Sequence, residues 1–589
     1  MSKIIGIDLG TTFSVVCFID EHGQPDVVLN SETEPLTASA LWIDDDDNMV
    51  VGQLALDNVI AFPHDVITMA KRSMGLDVRL RAHGKEFTPP EVSAVILRKL
   101  KQDAERHFGN EVTEAVITCP AYFGAAETQA TEQAGQMAGF NVRRIFPEPA
   151  AAALAFGYDN PGLEQTLLVY DLGGGTFDIT LFKVGPGAAG EVAPRIDMIS
   201  TDGNRQLGGA DWNGRVVDWV SATFVAQQGK SILLNALKGS CGSEEEVQTA
   251  LDSFGDLPPT QEAVAGRLVE LGFDREKVTA GLQNVVFDPR MDPSAHQDLY
   301  LRVERAKLSL SRVGKAVIVC QLAGLSVKVE LTREKFKELT QDLLDSTEQA
   351  IDRLLIAKGY SHDQIDQVLC VGGSTRLEMV RDMLRRKFPN RVNTNIKADL
   401  CVAQGAARMA SLLRGPGPSP VPDPGPSLIS PHAYGVGAKD EHDRYRVYPV
   451  ILKDQKLPCA SARPDERSRP DYEYGQFFTS SNNMTQVVLS VYEFDVLSHA
   501  DIQDPELCRK IGSVVIDELP PNRPRGQEIF ATFEMDESLQ LTVSALDVSS
   551  GTAKSVQLTL GDATSVSKKQ AEGRVKAMSK LLEGTEIQS

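Results

Sequence analysis

Two textures of hydrophobic and polar positions divide this chain. Toward the C-terminus, apolar and polar residues alternate. In "ESLQLTVSA", Leu539, Leu541, Val543 and Ala545 fall on one face and Ser538, Gln540, Thr542 and Ser544 on the other. "SVQLTL" repeats the pattern with Val556, Leu558 and Leu560, and "TQVVLSV" does so with Val487, Leu489 and Val491. Several segments of period two predict antiparallel strands packed as a β-sandwich. Upstream the texture is mixed. "IDQVLCV" (Ile365 to Val371) is a continuous apolar run that predicts a buried strand, and "LEMVRDMLRRKF" (Leu377 to Phe388) has helical periodicity. In the closing stretch "SKKQAEGRVKAMSKLLEGT", Val575, Met578, Leu581 and Leu582 share one helical face.

Composition sharpens the boundaries. At 589 residues the chain is too long for one core. "GPGPSPVPDPGPS", Gly415 to Ser427, is nearly half proline and reads as a semi-extended linker. The expected organisation is an α/β domain over 1–413, a linker over 414–427, a sandwich over 428–562 and a helix over 563–589. A stretch rich in Gly, Ser and Glu between Ala226 and Pro293, with helix-like pieces such as "EAVAGRLVELG", looks like an insertion. The net charge of −21 argues against nucleic acid or an anionic membrane surface as the main partner. The run Asp44 to Asp47 reads as a solvated loop. Eight scattered cysteines, with no CxxC pair, fit a reducing, cytoplasmic setting. "MSKIIGIDLG" reads as a strand rather than a signal peptide, and no apolar stretch is long enough to span a membrane.

The candidate chemistry lies in two matched hairpins. "IGIDLGTTFSVVCF" (Ile5 to Phe18) reads strand, Asp-Leu-Gly, hydroxyl residues, strand, and "LVYDLGGGTFDITLF" (Leu168 to Phe182) follows the same plan. Three adjacent glycines weaken a strand, so something must come close to that backbone. Loops of glycine and threonine present several N–H groups in one direction and bind phosphate oxygens. Each also carries an aspartate, Asp8 or Asp171. Two such loops facing each other would grip a polyphosphate and leave carboxylates for a hydrated Mg²⁺. The P-loop pattern is absent, and so is a Rossmann GxGxxG before a helix. In "VLCVGGSTRLEMV", Gly372-Gly373-Ser374 join a strand to a helix; turn and nucleotide contact are both open readings there.

Taken together, "IDLGTT", "FPEPAAAAL", "DLGGGTFD", "LGGAD", "ERAKLSLS" and "VGGSTR" resemble, in order, the seventy-kilodalton heat-shock chaperones of the DnaK type. The resemblance implies an actin-like (duplicated ribonuclease H-like) ATPase domain, an antiparallel β-sandwich that binds peptide, ATP or ADP, Mg²⁺ and K⁺. It implies that Asp8, Gly10, Thr11, Thr12 and Phe13 belong to the first phosphate loop and Gly173, Gly174, Gly175, Thr176 and Asp178 to the second. Lys71 would face the γ-phosphate. Glu148 and Asp171 would lie near the metal's waters, with Asp8 and Asp178 beside them; Lys71, Glu148, Asp171 and Thr176 would be the catalytic set. Gly208 and Gly209 would line the nucleotide, and Glu304, Lys307 and Ser311 would contact adenosine. Gly372, Gly373, Ser374, Arg376 and Asp399 would close the adenine side. Val436, Phe477, Val487 and Leu489 would surround an apolar peptide pocket, although each would also suit the sandwich core. Implied partners are unfolded polypeptides, a J-domain co-chaperone and a nucleotide exchange factor.

The chain also departs from the family's pattern. The leucine-rich linker is replaced by proline and glycine, with only "SLIS" near the leucines. An arginine that helps hold the docked state is Thr128 here, and its aspartate partner aligns with Leu428, while Arg144 is retained. Losing both ends of a charge pair strands neither, but the docked arrangement should lose an apolar plug and an ion pair, so coupling between nucleotide and peptide should be weak or differently built. The chain stops at Ser589, after about four or five turns of helix, so the family's helical lid is expected to be missing. Two functions follow: an ATP-hydrolysing chaperone, or a nucleotide-gated adaptor or holdase with little turnover. A sugar kinase or filament former is disfavoured, because neither needs a peptide-binding sandwich.

Overall fold

The computed structural model describes residues 4–187, 193–413 and 425–557, together with Gly573, Lys576, Met578, Lys580, Leu582, Ile587 and Gln588. Two sheets organise the first part of the chain. In one, the spatial order is Asn141–Pro147, Glu114–Cys119, Ile4–Asp8, Phe13–Ile19, Pro25–Val27; in the other it is Val392–Asn393, Gln367–Val371, Gln165–Leu172, Phe177–Gly185, Arg195–Asn204. Pairing directions match as well. Each sheet is parallel on one side of its glycine-loop strand and antiparallel on the other. Two lobes of one topology bear the duplication that the hairpins suggested. Their central strands are apolar on both faces because helices cover both sides; Leu167 through Tyr170 are fully buried.

Small residues set how closely the lobes approach. Helix Glu148–Asp159 ("EPAAAALAFGYD") and helix Cys401–Leu412 pack on each other and touch both sheets. A β-carbon on Gly405 would lie 1.9 Å from the Ala151 carbonyl oxygen, and one on Gly6 would lie 2.2 Å from the Ala407 nitrogen. Local signals end the helices where expected. Pro89–Phe108 starts with a capping box, Thr88 and Glu91 exchanging bonds with each other's backbone N–H, and stops at Gly109 in the left-handed region.

Within 226–293 the chain forms helices Lys230–Leu237, Glu244–Asp252, Gln261–Glu270 and Arg275–Leu282, continuous with helix Gly209–Phe224 through a π-helical turn at Val225–Gly229. Leu233, Leu251, Val264, Leu268 and Val278 are buried in the same apolar cluster as that helix.

The alternating segments form two antiparallel sheets. One runs Tyr445–Ile451, Ala433–Lys439, Val487–Phe494, Arg509–Ile516, and the other Cys459–Ala460, Glu528–Met535, Leu541–Asp547, Ala553–Gln557. One predicted strand is shorter than its pattern. It begins at Leu541, because Asp536 Oδ1 accepts bonds from the Ser538 and Gln540 N–H groups and Leu539 turns at φ 62°. Most of the proline-rich linker, like Val575, Leu558, Leu560 and Leu581, lies outside the described residues.

The sandwich docks on the duplicated domain, and this corrects the expectation of a lost apolar plug. Ser427 adds to the edge of strand Arg195–Asn204, its N–H donating to Ile196 O (2.8 Å) and its carbonyl accepting from Met198 N (3.0 Å). Leu428 and Ile429 then enter a core shared by both domains, each 2% exposed. Leu428, read from the sequence as the loss of a charge, is therefore itself part of an apolar plug. Thr128 is fully buried, and Arg144 is buried with its guanidinium donating to the Glu537 carbonyl of the sandwich (3.4 Å).

A ring of four charges of alternating sign bridges the two domains. Glu127 and Arg205 come from the duplicated domain, Glu493 and Arg509 from the sandwich. Arg205 lies 2.6 Å from Glu493 and 3.3 Å from Glu127; Arg509 pairs with Glu127 and lies 3.7 Å from Glu493. Burial alone would raise the Glu493 carboxyl, but Arg205, His432 and Arg509 outweigh it and hold it down at about 2. Beside the ring, Tyr122 bonds to Asp495 and the Tyr122 carbonyl accepts from Arg205 Nε (3.0 Å). Further along the chain, Met578, Leu582 and Ile587 are buried in the core of the first lobe, where Gln588 pairs with Met49 and Val51.

Candidate functional site: a cleft between two glycine loops

Each glycine hairpin turns where its sheet faces the other lobe. Strand Ile4–Asp8 pairs antiparallel with Phe13–Ile19, and Gln165–Leu172 pairs with Phe177–Gly185. The loops between them meet. A β-carbon on Gly174 would lie 2.6 Å from Thr12 Cγ2, and one on Gly175 would lie 2.6 Å from Thr11 Cγ2. What excludes side chains at these two positions is the opposite loop, in addition to any ligand. Gly208 closes on the same loop from behind, where a β-carbon would sit 2.4 Å from Gly175 N. Gly209 N and Ala210 N donate to the Gly173 and Gly174 carbonyls, 3.0 and 2.8 Å away. Gly372 adopts φ 79°, and a β-carbon there would strike Leu172 O at 2.4 Å, so only glycine fits.

Between the loops lies a cavity of about 560 Å³, within the range of small-molecule sites. Its walls bring together Asp8, Gly10, Thr11, Thr12, Phe13, Lys71, Glu148, Asp171, Gly173, Gly174 and Thr176 with Gly209, Glu304, Lys307, Ser311, Gly372, Gly373, Ser374, Arg376 and Asp399. Gly175, Gly208 and Asp178 stand behind that wall. Sequence reasoning missed Gln53, Leu56, Asp57, Tyr300 and Leu308, which also line it; nothing in their spacing distinguishes them from ordinary helix residues.

Lys71 enters on a short 3₁₀ turn, Ala70–Ser73, that follows Met69 in the left-handed region at φ 56°. A non-glycine residue held there stores strain of the kind found at functional sites. Its ammonium is buried and lies 2.5 Å from Glu148 Oε1. Burial opposes that charge, but Glu148 and Asp8 overcome it and raise the amine's pKa. Around this cation stand more carboxylates than it can neutralise. Burial and the Glu148 charge push Asp8 and Asp178 each up to about 7 and Asp171 well above its ordinary value. Thr118 donates to Asp8 (3.2 Å), and the Tyr122 N–H donates to Asp178 (2.8 Å). Among the described residues no three His, Cys, Asp or Glu side chains converge to hold a bare metal ion. A crowd of buried acids with one lysine still demands positive charge, and a cation keeping its water shell fits that donor set.

On the far side, Lys307 comes from helix Pro293–Leu310 and donates to Gly209 O (3.0 Å). Burial lowers its amine to about 8, against the charges of Glu304 and Asp211. Arg376 forms a two-pronged pair with Asp399, at 3.0 and 2.5 Å. Ser374 donates to the Gly173 carbonyl (2.9 Å), tying the third glycine loop to the second.

The residues expected around a peptide do not border this cleft. Val436, Phe477, Val487 and Leu489 are 0–8% exposed within the sandwich core. In the docked arrangement they are core residues.

Known proteins resemble the chain along most of its length. The family model described as Hsp70 protein matches residues 4–80, 76–239 and 278–440. The chaperone protein DnaK of Thermotoga neapolitana is 33% identical over 567 residues, covering 94% of this chain and 80% of the relative. The DnaK of Thermotoga maritima is 32% identical over the same shares, and that of Thermosipho africanus 31% identical over 94% of this chain and 79% of the relative. No helix among the described residues is long and apolar enough to cross a membrane.

Proposed function

Because the chain belongs to the Hsp70 family, we propose that it is an ATP-dependent chaperone: its actin-like domain hydrolyses ATP to ADP and phosphate, and its sandwich binds extended apolar segments of unfolded proteins. The observation that carries this reading is the meeting of two glycine loops, one per lobe, across a cavity that holds Lys71 among buried acids. Phosphoryl transfer to water needs positioning and charge neutralisation more than covalent chemistry. The loop amides would bind phosphate oxygens. Lys71 would neutralise the γ-phosphate, with Glu148 fixing the ammonium's direction. Asp171 would accept the proton of the attacking water, and Thr176 would orient it. Asp8, Glu148, Asp171 and Asp178 would hold hydrated Mg²⁺ or K⁺, and such a cation supplies charge stabilisation to the transferred phosphoryl group. Glu304, Lys307 and Ser311 would contact adenosine, between Gly373 and the Arg376–Asp399 pair.

Coupling to peptide is weakened, for a reason other than a missing plug. The family's charge pair is gone at Thr128 and Leu428, but a shared core and a four-charge ring hold the sandwich docked. A docked state held this firmly responds little to nucleotide. In it, the peptide residues Val436, Phe477, Val487 and Leu489 are closed, and a peptide would enter by parting the strands around them. The same firm docking favours a second reading, an adaptor or holdase that keeps nucleotide as a structural ligand. A J-domain protein and an exchange factor are the expected partners, and a cytoplasmic location the expected setting. Single-turnover hydrolysis by the parent and by Lys71→Ala separates the two functions. The chaperone reading requires turnover that the variant loses; equal, negligible rates in both would leave the adaptor.

A further inference from the structure

Lys71 is followed by a residue whose side chain leaves the first lobe. The Arg72 guanidinium crosses the cleft to Asp211 Oδ1 (3.0 Å) and to the Gln206 carbonyl (3.1 Å), both on the second lobe. Its stem lies on the second glycine loop, so close that a β-carbon on Gly175 would come within 2.9 Å of Arg72 Cγ. Asp211 is itself held. Its other oxygen accepts the Gly208 N–H (2.8 Å) at the start of helix Gly209–Phe224, where the helix dipole favours a carboxylate. Beside it the loops themselves meet, Thr12 against Gly174 and Thr11 against Gly175.

We propose that Arg72 and Asp211 form a clasp across the cleft that sets the rate of nucleotide release. The inference rests on the nucleotide reading above. A ligand gripped by loops of opposite lobes leaves only when the lobes part. Parting them breaks the ion pair, the bond to Gln206 and the stem contact together. Those losses fall on the dissociation rate far more than on the association rate. Arg72 is thus a positioning residue: it acts on nucleotide through the second lobe.

The test is release of a fluorescent N-methylanthraniloyl ADP, bound with Mg²⁺ and chased with unlabelled ADP. Both side chains are about a quarter exposed, 21% and 26%, so a partly solvated pair worth about fivefold in rate is expected. Arg72→Ala should speed release by about that factor. Asp211→Asn, which can keep the bond to Gly208, should do nearly the same, and the double variant should add little to either. Arg72→Lys should recover part of the loss. Faster release in Arg72→Ala with none in Asp211→Asn would overturn the clasp, because it would mean that Arg72 touches phosphate directly. Additive effects would overturn it too. A parent that binds no nucleotide would sink the nucleotide reading and the clasp with it, whereas tight binding with unaltered release in both single variants would sink the clasp alone.

Discussion

Gly124→Ala probes the docked state with a single carbon. Gly124 is extended, at φ −88°, so alanine adopts its backbone freely. The added β-carbon would lie 1.6 Å from Glu493 Oε2 and 2.5 Å from Cδ, across the domain boundary. Glu493 must withdraw, and the ring loses the 2.6 Å bond from Arg205. The hold on that carboxylate, about 2 against the ordinary 4.5, corresponds to about 3 kcal/mol at neutral pH. Arg509 can follow part of the way, so about 2 kcal/mol of docking should be lost, or about thirtyfold in the docking equilibrium. Amide hydrogen exchange reads this on helix Ala125–Met137 and strand Val487–Phe494. Where exchange proceeds through undocking, rates there should rise by about that factor, and strands far from the boundary should not change. The contribution should be full above pH 4.5, fall as Glu493 protonates, and be gone below about 2. Unaltered exchange on both faces would refute the ring as the element that holds the sandwich.

Further outcomes follow from the same geometry. ATP should change the peptide off-rate only slightly in the parent and more in Gly124→Ala, measured by fluorescent-peptide chase; a large acceleration in the parent would contradict firm docking. Leu428→Asp places a charge at a site 2% exposed, and should lower the thermal midpoint of docking by an amount equivalent to about 3 kcal/mol. Gly175→Ala should weaken nucleotide binding at least about tenfold, since its β-carbon meets Thr11 and the Arg72 stem. Lys307 is held at about 8 rather than 10.5, so its charged form burdens the folded state below pH 8 and is relieved as pH rises toward 10.5. Lys307→Met should therefore raise the melting temperature of the nucleotide-free protein at neutral pH while weakening adenine-nucleotide affinity.

The glycine loops were legible because a run of residues without β-carbons has few explanations, and because the same hairpin occurs twice. Their topology follows, since each loop joins two buried strands. The reason for the glycines was only half legible: the sequence could suggest a ligand above the backbone but not Thr11 and Thr12 of the opposite loop lying against it. The docked sandwich was least legible. Glu127 and Arg509 meet across 382 positions, and no local period links them. Leu428 looked like the loss of a charge, and its gain as buried surface appears only once Ser427 is paired to the edge strand. The pattern also overran at Leu539, where a left-handed turn held by Asp536 overrides the alternation. Val436, Phe477, Val487 and Leu489 illustrate a general limit, because apolar residues that close a pocket and apolar residues that fill a core share one spacing.

An ATPase built on this cleft requires the two loops to close on a polyphosphate and its cation. Calorimetric titration of the protein with ATP, with and without Mg²⁺, tests it most directly. One site per chain is expected, with an affinity that falls sharply when Mg²⁺ is withheld, because the acids around Lys71 then face the phosphates uncompensated. Absence of any heat of binding with Mg²⁺ present would contradict it.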